Sequence, residues 1–113
     1  MRVGCLSPCP KLYTQFAWSH HVTVPKVPGC YALVTYSGIL LYVGLASASI
    51  ADRMATHLKT EEKRKGSAGG VPFWFYYIEC PSIEVNALER GWMNRSMLED
   101  GDIPPLNKVY SPV

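Results

Sequence analysis

The strongest constraint on the fold is a hairpin with a tyrosine and a glycine at each end. Gly29-Cys30-Tyr31 opens one strand and Tyr42-Val43-Gly44 closes the next, with Ser37-Gly38 midway as a turn signal. Folding the chain about that turn places Tyr36 opposite Ile39, Leu33 opposite Tyr42, and Tyr31 opposite Gly44. Strand side chains alternate, so residues 31 and 33 share a face. Tyr31 and Tyr42 then stand on one face as diagonal neighbours, within reach of each other. Gly44 has no side chain and leaves an open spot beside the Tyr31 phenol.

The rest of the chain reads as a single α/β unit. Residues 1–28 form an arm in which Pro8, Pro10, Pro25 and Pro28 limit regular structure. Tyr13, Phe16 and Trp18 can anchor that arm, through a short helical turn. After the hairpin, Ser49-Ile50-Ala51-Asp52 fits a capping box, with Asp in place of Glu. Ile50, Met54 and Leu58 recur every four residues as a buried stripe. Arg53 and His57 share a different, polar face of that helix. Lys63-Arg64-Lys65 runs into Gly66-Ser67-Ala68-Gly69-Gly70, a loop signal. Val71 to Cys80 is rich in β-formers and reads as the third strand. Pro81-Ser82 caps a second helix from about Ile83 to Leu98. The expected fold is a small, three-stranded, mainly antiparallel sheet flanked by helices, with the arm over 1–28 and the domain over 29–113. There are no internal repeats and no linker.

Charge is uneven. Five basic residues lie between Arg53 and Lys65, against Glu61 and Glu62. Six acidic residues lie between Glu79 and Asp102, against Arg90 and Arg95. One basic and one acidic region suit a protein that holds phosphates near a metal, although two solvated helix faces give the same pattern. The net charge of +2 is too small to demand a nucleic-acid partner. No run reaches transmembrane length and no secretory signal is visible, so a cytoplasmic location with reduced thiols is expected. Cys5, Cys9, His20 and His21 form the one cluster to weigh as a zinc site, and it lacks a second well-spaced pair. Cys30 and Cys80 read as small, buried strand residues.

Among single residues, Glu89 stands out. On a helical wheel it lies between Val85 and Trp92 on one side and Met93 and Met97 on the other. A carboxylate bordered by apolar groups is costly unless it is paired or bound to a cation. Mg²⁺ takes oxygen ligands and often uses few protein carboxylates. Arg53 offers a planar fork for phosphate oxygens, and His57 a proton carrier near neutral pH. The bland readings are a snorkelling Glu89, an exposed Arg53/His57 face, and a buried Tyr31/Tyr42 pair.

The order of these residues resembles the GIY-YIG nuclease superfamily. The two tripeptides read G-C-Y and Y-V-G here, followed by Arg53 and His57 on a helix, Glu89 on a second helix, and Asn107 in Pro-Pro-Leu-Asn. The match covers roughly residues 29 to 108. The resemblance implies a metal-dependent endonuclease that hydrolyses DNA to 5′-phosphate and 3′-hydroxyl ends. Glu89 would hold Mg²⁺ or Mn²⁺, Tyr31 would activate water, and Arg53 would stabilise the transition state. Tyr42, His57 and Asn107 would support them. Gly44, Asn107, Lys63, Arg64 and Lys65 are the expected substrate contacts. Two features depart from the family pattern: Leu45 follows the second tripeptide, and no lysine lies between Tyr31 and Tyr42. They leave open an alternative, a weak or inactive nucleic-acid-binding module of the same fold. RNA as substrate, a homodimer and a targeting partner stay open too.

Overall fold

The computed structural model describes residues 1–108, and the last five residues of the expected 29–113 unit lie outside the described part. The elements are β1 (Leu12–Gln15), α1 (Trp18–His21), β2 (Gly29–Val34), β3 (Leu40–Ala46), α2 (Ile50–Leu58), α3 (Glu61–Lys65), β4 (Trp74–Glu79) and α4 (Val85–Asp100). The sheet is antiparallel with four strands in the order β1-β4-β2-β3, one more than the three expected. The extra strand is β1, from the segment read as an arm. Its residues pair with the far side of β4, from Leu12 opposite Tyr77 to Gln15 opposite Trp74. No helix among the described residues is long and apolar enough to cross a membrane.

The hairpin adopts the expected register over its working half. Tyr31 lies opposite Gly44 and Leu33 opposite Tyr42. Nearer the turn the register slips by one at Leu33/Val34, so Val34 faces Leu40 rather than Leu41. The cause is local. The Thr35 amide donates to Ile39 O, the Ile39 amide donates to Thr35 Oγ1, and the Gly38 amide donates to Thr35 O. Gly38 has φ +99°, the left-handed region glycine favours. Tyr36 therefore does not face Ile39 and stands at the tip, exposed.

Each sheet face has its own core. Tyr31, Leu33, Phe75 and Tyr77 pack under Ile50, Met54 and Leu58 of α2. Ser49 caps α2 as expected, its Oγ accepting from the Asp52 amide. Cys30, Ala32, Val34 and Val43 of the other face pack under Val85, Trp92 and Met93 of α4. The second helix starts later than expected. Ser82–Glu84 forms a 3-10 turn, Ile83 is exposed, no side chain caps the turn, and α4 runs on to Asp100. The 1–28 segment is integral to these cores: Val3 and Leu6 are buried in the α4 layer, and Trp92 Nε1 donates to Pro8 O. Lys63-Arg64-Lys65 is helical rather than part of a loop, and the glycine-rich stretch after it closes a turn through Ser67 and Gly70.

Gly44 is the tightest point of the sheet. A Cβ built there would lie 2.5 Å from both Cζ and the hydroxyl oxygen of Tyr31. Tyr31 is held in place by Phe75, stacked at 5.2 Å, and has nowhere to retreat. Gly44→Ala is expected to cost about 1–3 kcal/mol of stability through overpacking. The chemical denaturation midpoint measures it. A midpoint matching wild type would mean that the ring is free to move.

Candidate active site

The site is built beside β3, where the Tyr31 ring, rather than open space, fills the spot that Gly44 leaves. Tyr31 comes from β2 and is fully buried. Its hydroxyl lies 2.6 Å from His57 Nε2 and accepts from Arg53 Nε at 3.4 Å. Arg53 and His57 are one turn apart on α2, so a single helix delivers both to one oxygen. Tyr42 closes the group, its ring 6.2 Å from that of Tyr31 and 5.0 Å from that of His57.

Burial dominates the electrostatics. It pushes the Tyr31 phenol above its ordinary value; the Tyr42 phenol adds to the rise, and Arg53 opposes it. Burial, then Arg53 and Lys63, lowers His57 to about 4. At neutral pH the ring is therefore an uncharged imidazole with an acceptor nitrogen. Because Arg53 already donates to the Tyr31 oxygen, the arrangement that satisfies the network has Tyr31 O–H donating to His57 Nε2. A proton can pass from the phenol to the imidazole without leaving a phenolate only if the Tyr31 oxygen takes up another proton in the same step.

Glu89 lies on the buried side of α4 with Val85, Trp92, Met93 and Ser96, and is 9% exposed. Met97, expected beside it, is partly exposed. Among the described residues the Glu89 carboxylate has no salt-bridge partner. Burial raises its pKa, and Arg53 opposes the rise. It borders a cavity of about 340 Å³ shared with Tyr42, Lys63, Met93, Leu106, Asn107 and Lys108. No cluster of three or more His, Cys, Asp or Glu suited to a metal occurs among the described residues, including around Cys5, Cys9, His20 and His21. The cavity offers one carboxylate, with the Tyr42 and Asn107 side chains and the Lys63 and Lys108 ammonium groups elsewhere on its wall. That fits a hard cation which keeps several waters, and does not fit zinc.

The five expected substrate contacts fall differently, and Gly44, packed against the Tyr31 ring, does not line the cavity. Lys63 turns inward from α3 and is 8% exposed. Its ammonium sits 4.3 Å over the Tyr42 ring and donates to Leu106 O at 3.5 Å. Burial lowers its pKa, opposed by Glu62. Arg64 and Lys65 point away from the cavity, and Lys65 pairs with Glu61 along the helix. Asn107 is a splint. Its Oδ1 accepts from the Val43 amide and its Nδ2 donates to Val43 O, both at 2.9 Å. It thus extends the β3 edge by one mock residue, and the Leu106 amide donates to Leu41 O beside it. Leu45 faces the α4 layer and takes no part in the site. Lys108, which pairs with Glu62, was not singled out from the sequence; nothing in its surroundings there distinguishes it from a solvated lysine.

No family model and no curated protein matches the chain. The reading of the site therefore rests on the geometry and on the ordered residues themselves.

The His57 value sets a pH dependence. Its folded-state pKa lies below its unfolded value, so the unfolded chain takes up the proton first. The associated stability is fully present above about pH 6.5 and is lost as the pH falls toward about 4. Glu89, whose pKa is raised, acts in the opposite sense. Denaturation of wild type and His57→Gln between pH 7.5 and roughly 4.5 should show that the wild type loses more stability. Parallel curves would contradict the neutral, buried imidazole.

Proposed function

We propose that the protein is a divalent-metal-dependent endonuclease that hydrolyses DNA phosphodiester bonds. The observation that carries this reading is the convergence of Tyr31, Arg53 and His57 on one oxygen beside a carboxylate, Glu89, that has no salt-bridge partner among the described residues and borders an open cavity. Phosphoryl transfer needs little covalent chemistry from the protein; it needs positioning, proton transfer and charge stabilisation. Each requirement has a group here.

Glu89 would hold Mg²⁺ or Mn²⁺. When bound, such an ion polarises a phosphoryl oxygen and neutralises charge on it. Arg53 is exposed apart from its Nε contact, so the rest of its guanidinium is available to the phosphate. Lys63 and Lys108 add positive charge at the cavity wall. The attacking water gives a proton to the Tyr31 oxygen as the phenol passes its own to His57 Nε2. The new P–O bond forms as the bond to the 3′-oxygen breaks, and that oxygen takes a proton from solvent. The ends are a 5′-phosphate and a 3′-hydroxyl. Many members of the resembled superfamily carry a polar or cationic residue just after the second tripeptide; here that position is Leu45, and Lys63 brings a cation to the cavity from α3 instead. Four free cysteines suit a reducing, cytoplasmic setting.

One observation favours a second reading, a nucleic-acid-binding module of the same fold that does not cut. The Tyr31 hydroxyl is sealed from solvent by its neighbours. Water reaches it only if the long Arg53 contact of 3.4 Å opens when a phosphate draws the guanidinium away.

Glu89→Gln separates the two. The amide keeps the shape and removes a desolvated charge that has no ion-pair partner among the described residues. Expected is loss of Mg²⁺-dependent plasmid cleavage with stability at pH 7 equal to or above wild type. Mg²⁺ should raise the melting temperature of wild type and not of the variant. Cleavage at the wild-type rate would refute the metal assignment. A destabilised variant would mean that Glu89 has a structural role. Glu84→Gln, on the exposed 3-10 turn, should leave cleavage unchanged.

A further inference from the structure

The α4 layer packs chiefly on β2 and β3, and meets the β1/β4 half of that sheet face less closely, with Leu88 across a groove from Ile78. On this half stands a continuous row of aromatic rings. Tyr13 stacks on Tyr76 at 4.9 Å and meets Trp74 edge-on at 5.3 Å. Trp74 lies parallel to Tyr36 at 6.1 Å, and Phe73 packs edge-on against both. Tyr36 is 73% exposed and Tyr13 55%. The row is fixed in place, because Trp74 Nε1 donates to Tyr36 O at 3.2 Å and ties the ring to the hairpin tip. Beyond Tyr76 the same face leads into a mostly apolar groove of about 420 Å³ lined by Ile78, Cys80, Pro8, Ala87 and Leu88, with the Glu84 carboxylate at its far side from the row.

Exposed, rigid aromatic rings in a row are costly for a folded domain to leave in water, and single exposed rings would need no explanation. Two cations bracket the row. Arg2 is held at the tip by donating to Ser37 O, next to Tyr36, and Lys11 directly precedes β1. Neither has a carboxylate partner among the described residues. Flat apolar faces flanked by unpaired positive charge match unpaired nucleobases on a phosphate backbone. A sugar polymer lacks the charge, and a second copy of the chain would bring the same charges face to face.

The geometry points to a second nucleic-acid site: the Tyr13/Trp74/Tyr36 row is a stacking platform for the bases of a single-stranded segment. It rests on the reading that the chain meets nucleic acid, but not on cleavage. The bases lie against the outer faces of Tyr36 and Tyr13, while Arg2 and Lys11 contact the backbone. A strand held here would leave the Glu89 cavity, beside β3 at the opposite edge of the sheet from β1, free to take a phosphate from the adjoining duplex. The platform would thus favour substrates with an unpaired stretch.

The test is the affinity of the full chain for a short fluorescent oligothymidylate in EDTA, where no cleavage occurs. Tyr36→Ala and Tyr13→Ala should each weaken binding by about fivefold or more, the lower end of the loss of one base stack. Tyr36→Leu, which keeps apolar bulk without a ring, should behave like Tyr36→Ala. An abasic oligomer of the same length should bind wild type no better than the thymidylate binds the variants. Wild-type affinity in both alanine variants would overturn the platform. So would equal affinity of wild type for abasic and thymidylate strands, or variants that alter only the sedimentation of the protein. The two proposals fail separately. Ring-dependent binding without any cleavage in Mg²⁺ sinks the nuclease reading alone. Cleavage with ring-independent binding sinks the platform alone.

Discussion

Everything in the site depends on one contact, the Tyr31 phenol lying across Gly44. The phenol can be buried within the sheet only because β3 offers no Cβ at that point. Burying it requires partners for the hydroxyl, and α2 supplies them as Arg53 and His57. That requirement sets the position of α2 against β2 and β3 as firmly as the Ile50, Met54 and Leu58 stripe does. Beside the same strand, Tyr42 shares one cavity with the α4 carboxylate and the α3 ammonium. The polar network and the apolar core are therefore one construction, and a change at Gly44 should be felt in both.

Burial acts on every titratable group around that contact. Burial holds Tyr31 protonated and His57 neutral, and it makes a charged Glu89 unfavourable. For Tyr31 and His57 these are the forms that prevail near neutral pH, so the cost falls on Glu89, whose charge is desolvated with no salt-bridge partner among the described residues. Shifted titrations gathered in one place are what the proposed active site would need. Lys63 belongs to the same pattern: its ammonium is buried over Tyr42 with one backbone carbonyl and one partly exposed carboxylate for company.

Much of this was legible in the sequence. The Tyr31–Gly44 and Leu33–Tyr42 pairings follow from the turn signal and the two-residue period of a strand. The α2 stripe follows from four-residue spacing. The burial of Glu89 follows from its helical wheel. What could not be read was set by contacts distant in sequence or by local chemistry. β1 is four residues long, sits behind two prolines, and exists as a strand only through pairing with β4 more than fifty positions away. The one-residue slip near the turn comes from the Thr35 hydroxyl, which captures the Ile39 amide. Lys63-Arg64-Lys65 reads as solvated charge. Only the short α3 turn decides that Lys63 faces in while Arg64 and Lys65 face out. Asn107 reads as a site residue from Pro-Pro-Leu-Asn alone; that its side chain pairs with Val43 as a mock strand residue is set by a contact 64 positions away.

The central claim is that the Tyr31 hydroxyl is a working group and not a satisfied core phenol. Single-turnover cleavage of supercoiled DNA in Mg²⁺ by Tyr31→Phe tests it most directly. The ring still packs on Phe75 and over Gly44, so the fold should persist and only proton transfer is lost. The account predicts a rate lower by a factor on the order of a hundred. A variant that cuts as fast as wild type would contradict it, and would leave Tyr31 as a core aromatic with its hydroxyl hydrogen-bonded for stability alone.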